Sequence, residues 1–279
     1  MINRSFHRLA CEFRISSNDD AFVRRLDSLQ ASAIQDHPVT ETHRFDVWFD
    51  GHAYRICEDN RAPDVHHDLE EAVARVDGRL HEIAFEAVAD RTKLHAGSGT
   101  WNKRRFLVVG DRGAGKTTLM TRLLFEGCAV EGDEMVLLRD GHAIAYPRRF
   151  GIRRRTLKLV PQVAPLAAHL VDEPGVEESV GVHVLAFDPI QVGLTWRITA
   201  GPVAVLFFLS PPDHGPTRIV PCSRQRMAQR LMTQSAPPRA GSAALIHEIG
   251  TLVRDAASYE IVMGDLDSAV VAVREYVAN

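Results

Sequence analysis

The hydrophobic pattern changes period several times along the chain, and each change predicts an element. Alternation from Arg8 to Ile15 predicts a strand, and Ser16-Ser-Asn-Asp-Asp20 predicts a turn that caps a helix over Ala21 to Leu29. Phe45, Val47 and Phe49 alternate up to Asp50-Gly51, and His52 to Cys57 returns, which is the pattern of a hairpin with a tight turn. Between Asp64 and Asp90, Leu69, Val73, Val76, Leu80, Ile83 and Val88 recur at helical spacing, so this stretch predicts one long helix. His66 and His67 lie within it. Neighbours on a helix point apart, so the pair is expected to be solvated rather than to hold a metal.

After residue 90 the elements follow more closely. Leu94 to Trp101 and Arg105 to Val109 predict strands joined by the polar turn Asn102 to Arg104. A helical pattern runs from Thr118 to near Gly127, and Cys128 to Leu138 leads to a hairpin at Asp140-Gly141 that returns through Tyr146. Pro161 to Pro189 reads as a loop-rich insertion with a short helix at Leu166 to Val171. The unbroken apolar run Val203 to Leu209 predicts a buried strand. A turn at Pro211 to Pro216, a strand from Thr217 to Pro221 and a helix from Ser223 to Met232, capped by Ser223, come next. A helix over Ser242 to Ala256, a strand over Tyr259 to Met263 and a helix from Leu266 to Val277, capped by Asp265, complete the chain. The predicted class is α/β with α+β elements: a small N-terminal α+β part over residues 1–90 and a catalytic part over 91–279.

Composition alters this picture little. A chain of 279 residues with 45% apolar and 25% charged residues can bury a sizeable core. A net charge of −3 supplies no global basic field for nucleic acid or anionic lipid. Cys11, Cys57, Cys128 and Cys222 stand apart, as reduced thiols of a cytoplasmic protein do. The first residues lack a signal-peptide core, and no apolar stretch approaches about 20 residues, so no membrane span is expected.

The candidate chemistry centres on Phe106 to Leu119. A short apolar strand leads into Gly110, Asp111, Arg112, Gly113, Ala114, Gly115, Lys116, Thr117 and Thr118, and a helical pattern follows. This is G-x-x-x-x-G-K-T in the strand–loop–helix context of a phosphate-binding loop. Glycines let successive N–H groups converge on phosphate oxygens, and the helix start adds positive potential. Lys116 would reach the β- and γ-phosphates of ATP, and Thr117 would offer its hydroxyl to Mg²⁺.

Such a loop needs hard oxygen ligands for the metal and a base or positioning group for the nucleophile. The acidic pair Asp133-Glu134 follows Lys116 by 17 residues, about one helix and a turn, which allows the chain to return beside the loop. From spacing alone either acid can be the base and the other the metal ligand. His95 opens the strand that precedes the loop's own strand.

Leu94-His95-Ala96-Gly97, the loop Gly110 to Thr117, and Gly132-Asp133-Glu134-Met-Val-Leu together resemble the catalytic core of HPr kinase/phosphorylase and its relatives, including the HPr-kinase-related proteins of peptide-modification clusters. The specific resemblance covers about residues 90–150. It implies a P-loop kinase core similar to phosphoenolpyruvate carboxykinase. It makes Asp133 the acid that deprotonates an accepting serine, His95 the histidine that contacts this acid, Glu134 the acid near the metal and Thr117 the metal ligand of the loop. The wider family includes hexamers, so an oligomer is compatible with it.

The basic run Pro147 to Lys158 offers Arg148, Arg149 and Arg153 to a transferring phosphoryl or to an acidic substrate. Apart from Phe150 it lacks the interleaved aromatic residues of a nucleic-acid surface. The reading is an ATP-dependent kinase with Mg²⁺, acting on a serine or threonine of a protein or peptide. Two alternatives stay open: a kinase for a small-molecule hydroxyl, and a non-catalytic ATP-binding switch. Residues 1–90 are read as a part for substrate or partner binding.

Overall fold

Short-range signals decide most elements of the N-terminal unit. In the computed structural model, residues 1–59, 61–168, 171–172, 184–210 and 215–278 are described. They divide into two compact units, Met1–Ala31 with His37–Ala89, and Ser32–Asp36 with Asp90–Asn279.

In the first unit, β1 (Ile2–Arg8) and β2 (Cys11–Ser17) form an antiparallel hairpin. The single strand expected over Arg8 to Ile15 is therefore corrected. The chain reverses at Leu9-Ala10, with Leu9 at φ 53°, and both turn residues are apolar and buried, so no polar turn signal marks the reversal. Asp19 caps α1 (Asp20–Asp27) by accepting the Ala21 and Phe22 amides. β3 (Ile34–Gln35) belongs with the second unit. β4 (Glu41–Phe49) runs parallel to β2, and β5 (Tyr54–Glu58) returns beside it.

The helix expected from Asp64 begins later. Asp64–His66 is β6, paired with β5, and Asp68 caps α2 (Leu69–Ala87) by accepting the Glu71 amide. His66 thus ends a strand, and the helical argument about the His66-His67 pair does not apply. The sheet runs β1-β2-β4-β5-β6. Phe13, Ile15, Phe45 and Val47 of the sheet, with Phe22, Leu26, Val76 and Leu80 of the helices, are removed from water, which supplies the main stabilisation of the unit.

The second unit begins with β7 (Thr92–Leu94), β8 (Ala96–Trp101) and β9 (Arg104–Gly110), followed by α3 (Lys116–Phe125). β10 (Ala129–Gly132), β11 (Val136–Arg139) and β12 (His142–Ala145) come next. The β11–β12 hairpin turns at Asp140-Gly141, both at positive φ. β13 (Phe150–Arg153) leads directly into α4 (Arg154–Leu159), and a 3₁₀ helix spans Pro161–Ala168. β14 (Val171–Asp172) and β13 both pair with β15 (Val184–Phe187). The helix expected over Leu166 to Val171 lies partly outside the described residues, and so does the turn expected at Pro211 to Pro216.

β16 (Arg197–Ile198) pairs with β3, and β17 (Gly201–Ser210) is the expected buried strand. β18 (Arg218–Pro221), α5 (Arg224–Thr233), β19 (Ser235–Ala236), α6 (Ser242–Asp255), β20 (Ala257–Val262) and α7 (Leu266–Ala278) complete the unit. The main sheet runs β10-β8-β9-β17-β12-β11-β7-β19, and β20 and β18 extend from the C-terminal part of β17. Among the described residues of this sheet, β9, β17 and β20 are the strands that run parallel. Val205 to Leu209 are buried because both faces of β17 are covered. On one face, Leu206 and Phe208 meet Met227 and Leu231 of α5 and Leu245, Ile249 and Leu252 of α6. On the other, α3 and α7 pack over β8 and β9. The architecture is mixed α/β. Among the described residues no helix is long and apolar enough to cross a membrane.

Candidate functional site

The site begins where β9 leaves the sheet. Phe106 to Val109 are fully buried, and Gly110 lies against the parallel strand β17, in register with Leu209. A Cβ at Gly110 would come within 2.5 Å of the Leu209 carbonyl oxygen. The chain then turns, with the Ala114 amide donating to the Asp111 carbonyl at 3.1 Å. Gly113 and Gly115 take φ values of 85° and 101°, a left-handed backbone that favours glycine, and α3 starts at Lys116.

Lys116 folds back over this loop. Its Nζ donates to the carbonyl oxygens of Gly110 at 2.6 Å and Asp111 at 3.3 Å. Burial pushes the ammonium below the usual lysine range, while Asp111, Asp133 and Glu134 pull the other way. Thr117 is half-buried beside it. The buried Thr118 shares a hydrogen bond with Thr156 of α4 at 3.2 Å.

A second arm comes from two neighbouring strands that break at the same level. Between β7 and β8 the break is His95; between β10 and β11 it is the bend Asp133-Glu134. The registers fix this match: Ser98 pairs with Gly132 on one side of the break, and Leu94 with Val136 on the other. The Ala96 amide donates to the Glu134 carbonyl at 3.2 Å, and the His95 amide donates to the Gln234 carbonyl at 2.8 Å.

The loop, both breaks and the β12–α4 region line one cleft of about 480 Å³. Asp133 is buried there, and Glu134 is part-exposed and paired with Arg148 at 2.8 Å. The His95 ring is open to solvent in the cleft, yet enough protein surrounds it to hold its pKa below the usual histidine value. Desolvation is the larger cause and the charge of Lys116 the second; a hydrogen bond with the Glu134 backbone opposes them. The ring is therefore neutral at neutral pH.

The structure thus gathers His95, Lys116, Thr117, Asp133, Glu134 and Arg148 around one space, with Arg112, Gly113, Gly115, Thr118 and Arg153 also on its wall. Gly110, Asp111 and Ala114 shape the loop without lining the cleft. Arg149 does not line it either: it is buried and donates to Gln191 Oε1 at 3.1 Å.

Three wall residues, Gly151, Thr156 and Gln234, were not foreseen. Gln234 Nε2 donates to Asp111 Oδ1 at 3.1 Å while its carbonyl holds His95, so it ties the loop to the β7–β8 break. It reaches this position through the short pairing of β19 with β7, for which no local sequence signal exists. Gly151 and Thr156 lie inside the basic run, where no motif marks them.

Hard oxygens and cations dominate this wall, and that donor set suits phosphate oxygens and Mg²⁺ better than a soft metal. No protein-family model matches the chain. No curated protein matches it. Among solved structures, the HPr(Ser) kinase/phosphatase from Coxiella burnetii is similar at 16% sequence identity and a TM-score of 0.26, over 58% of this chain and 88% of that one. A likeness at that score defines neither the fold nor an activity of this chain.

Proposed function

We propose that the protein is an ATP-dependent kinase that phosphorylates a hydroxyl, that of a serine or threonine in a protein or peptide. The observation that carries this reading is the convergence of Lys116, Asp133 and His95, from three separate elements, on one cleft. MgATP, when bound, supplies the γ-phosphoryl and the divalent charge. The loop amides and Lys116 bind the phosphates, with the ammonium exchanging the Gly110 and Asp111 carbonyls for phosphate oxygens. Thr117 and Glu134 would hold the metal through oxygen. Asp133 accepts the proton of the attacking hydroxyl at its carboxylate. His95, neutral and bonded to the backbone of the same bend, keeps that bend in place. Burial of Asp133 and Lys116 strengthens each charge interaction relative to water.

The test is transfer from γ-labelled ATP to candidate peptides, with mass mapping of the modified residue. Asp133→Asn is expected to keep ATP binding and lose about 10²- to 10⁴-fold in transfer. Undiminished transfer by Asp133→Asn removes it as the base, and failure of the wild-type chain to bind ATP removes the whole reading.

A further inference from the structure

We infer that Cys11, Glu41 and His43 of the first unit form a zinc site, independent of the cleft and of the kinase reading. The parallel register of β2 and β4 sets Cys11 beside Glu41 and Phe13 beside His43. Alternate residues of a strand share a face. Cys11, Phe13 and Ile15 therefore lie with Glu41, His43 and Phe45 on the face that carries the core. Along β4 that face grades from buried Phe45 through half-buried His43 to exposed Glu41, so the three candidate ligands stand where the core meets solvent. The thiol sulfur, a ring nitrogen and a carboxylate oxygen all lie within 4.8 Å of one another.

The histidine carries the argument. Its Nδ1 lies 3.2 Å from Asp59 Oδ2, and its Nε2 lies 3.3 Å from Glu41 Oε2. A neutral imidazole has one N–H. One of these contacts therefore sets a lone pair against a carboxylate unless a second proton or a metal cation stands between them.

Asp59 decides which nitrogen is left over. It adopts a left-handed backbone at φ 44°, donates its amide to the Arg44 carbonyl at 2.9 Å and accepts the Arg44 amide at Oδ1 at 2.8 Å. Its Oδ2 is thereby fixed to receive Nδ1–H, which turns the Nε2 lone pair toward Glu41. A carboxylate on the far nitrogen is the usual support of a zinc-bound histidine. Phe13 stacks on the ring at 5.7 Å and holds its plane.

The spacing fits the metal. Two N or O ligands about 2.0–2.1 Å from a tetrahedral zinc are separated by about 3.3 Å, which matches the Nε2 to Oε2 distance of 3.3 Å. A mixed sulfur, nitrogen and oxygen set suits zinc rather than Mg²⁺ or Ca²⁺. Cys11 is buried, and zinc binding there would release its thiol proton to solvent and take the thiolate as ligand. The fourth position falls to water on the exposed Glu41 side. Zinc there would clip β2 to β4 and, through Asp59, to the end of β5.

The test uses the full chain, stripped with a chelator and titrated with ZnCl₂ against a chromophoric competitor, and in parallel with CoCl₂. The expected result is one tight equivalent and a sulfur-to-cobalt charge-transfer band that Cys11→Ser abolishes. Glu41→Gln and His43→Gln are expected to weaken zinc by tenfold or more, and Asp59→Asn by about 10- to 100-fold. Cys11 is fully buried, so its variant can fail to fold. Glu41→Gln, at an exposed position, then carries the test: zinc should raise the melting temperature of the wild type and not of this variant. No zinc bound by the folded wild-type chain overturns the proposal. So does a thiolate–cobalt band that survives Cys11→Ser, or a zinc affinity unchanged in both Glu41→Gln and His43→Gln.

Discussion

Arg148 Nη1 stands 2.8 Å from Glu134 Oε2, so the acid proposed to hold the metal is already paired with an arginine of the cleft wall. The side chains are 36% and 44% exposed, and an ion pair that wet adds little to stability. Its consequence lies in competition: Mg²⁺ and Arg148 draw on the same carboxylate. Arg148→Ala should lower the Mg²⁺ concentration needed for half-maximal transfer. It should also cut the saturated rate by up to about 10³-fold if the guanidinium turns to the transferred phosphoryl once released. Initial rates across a Mg²⁺ titration separate the two effects, and identical curves for both proteins remove Arg148 from the site.

His95 links the cleft to pH. Its folded-state pKa lies below the unfolded value of about 6.5. In the window between the two, the unfolded chain binds more protons, so this group makes stability rise with pH there, and the gain is lost as pH falls through the folded value. His95→Gln should flatten that part of the profile, measured as melting temperature from about pH 5 to 8. Its transfer rate should fall less than that of Asp133→Asn, and unchanged kinetics would leave His95 a purely structural residue.

Gly110 sets the distance between β9 and β17. The Cβ of Gly110→Ala would stand 2.5 Å from a backbone oxygen of Leu209, which a side-chain rotation cannot relieve. The cost should be about 1–3 kcal/mol, read by urea denaturation, with weaker nucleotide binding because the loop springs from this residue. Gly97→Ala makes an overlap of similar size, 2.6 Å, with Met120 Cγ. That atom sits on a flexible side chain, so the loss in stability should be smaller.

Arg105 and Glu131 form a buried ion pair beneath the β10 end of the sheet. Thr199 Oγ1 donates to Glu131 Oε1 at 2.8 Å and accepts from Arg105 Nη2 at 2.9 Å, while Trp196 Nε1 donates to the Glu131 carbonyl at 2.9 Å. Glu131→Ala leaves a guanidinium buried without its anion and should cost about 3–5 kcal/mol. The double variant Arg105→Met, Glu131→Leu should recover much of that loss, because the charge leaves with its partner. Denaturation of both proteins decides; equal losses would mean that packing, not charge, dominates there.

Much of the fold was legible where a few consecutive residues carry the whole signal. Ser223 caps α5 through the Arg226 amide, and Asp265 takes the Ser268 amide at the start of α7. Val203 to Leu209 could only be a strand covered on both faces, and Asp140-Gly141 a hairpin turn. The glycine spacing before Lys116 likewise places two left-handed residues in a loop at the end of a strand. Caps, turns and periodicity are local physics, and the sequence displays them directly.

Local pattern misled where a distant partner outweighed it. The alternation through Arg8 to Ile15 hides a reversal, because the turn residues Leu9 and Ala10 are themselves buried. Asp64 to His66 reads as the start of a helix until β5 claims it as a strand.

From its sequence alone, the chain determined most of its elements, its glycine loop and the presence of His95, Asp133 and Glu134 at intervals that permit a meeting. Only the tertiary structure decided that they meet: the strand breaks at His95 and at Asp133-Glu134 coincide because sheet register aligns them. Register likewise brought Gln234 to the loop and set Cys11, Glu41 and His43 together, while a hydrogen bond to Gln191 holds Arg149 away from the cleft. The reason is that hydrogen-bond pairing between strands depends on which remote segment lies alongside, and a residue's own neighbours in sequence carry no record of that choice.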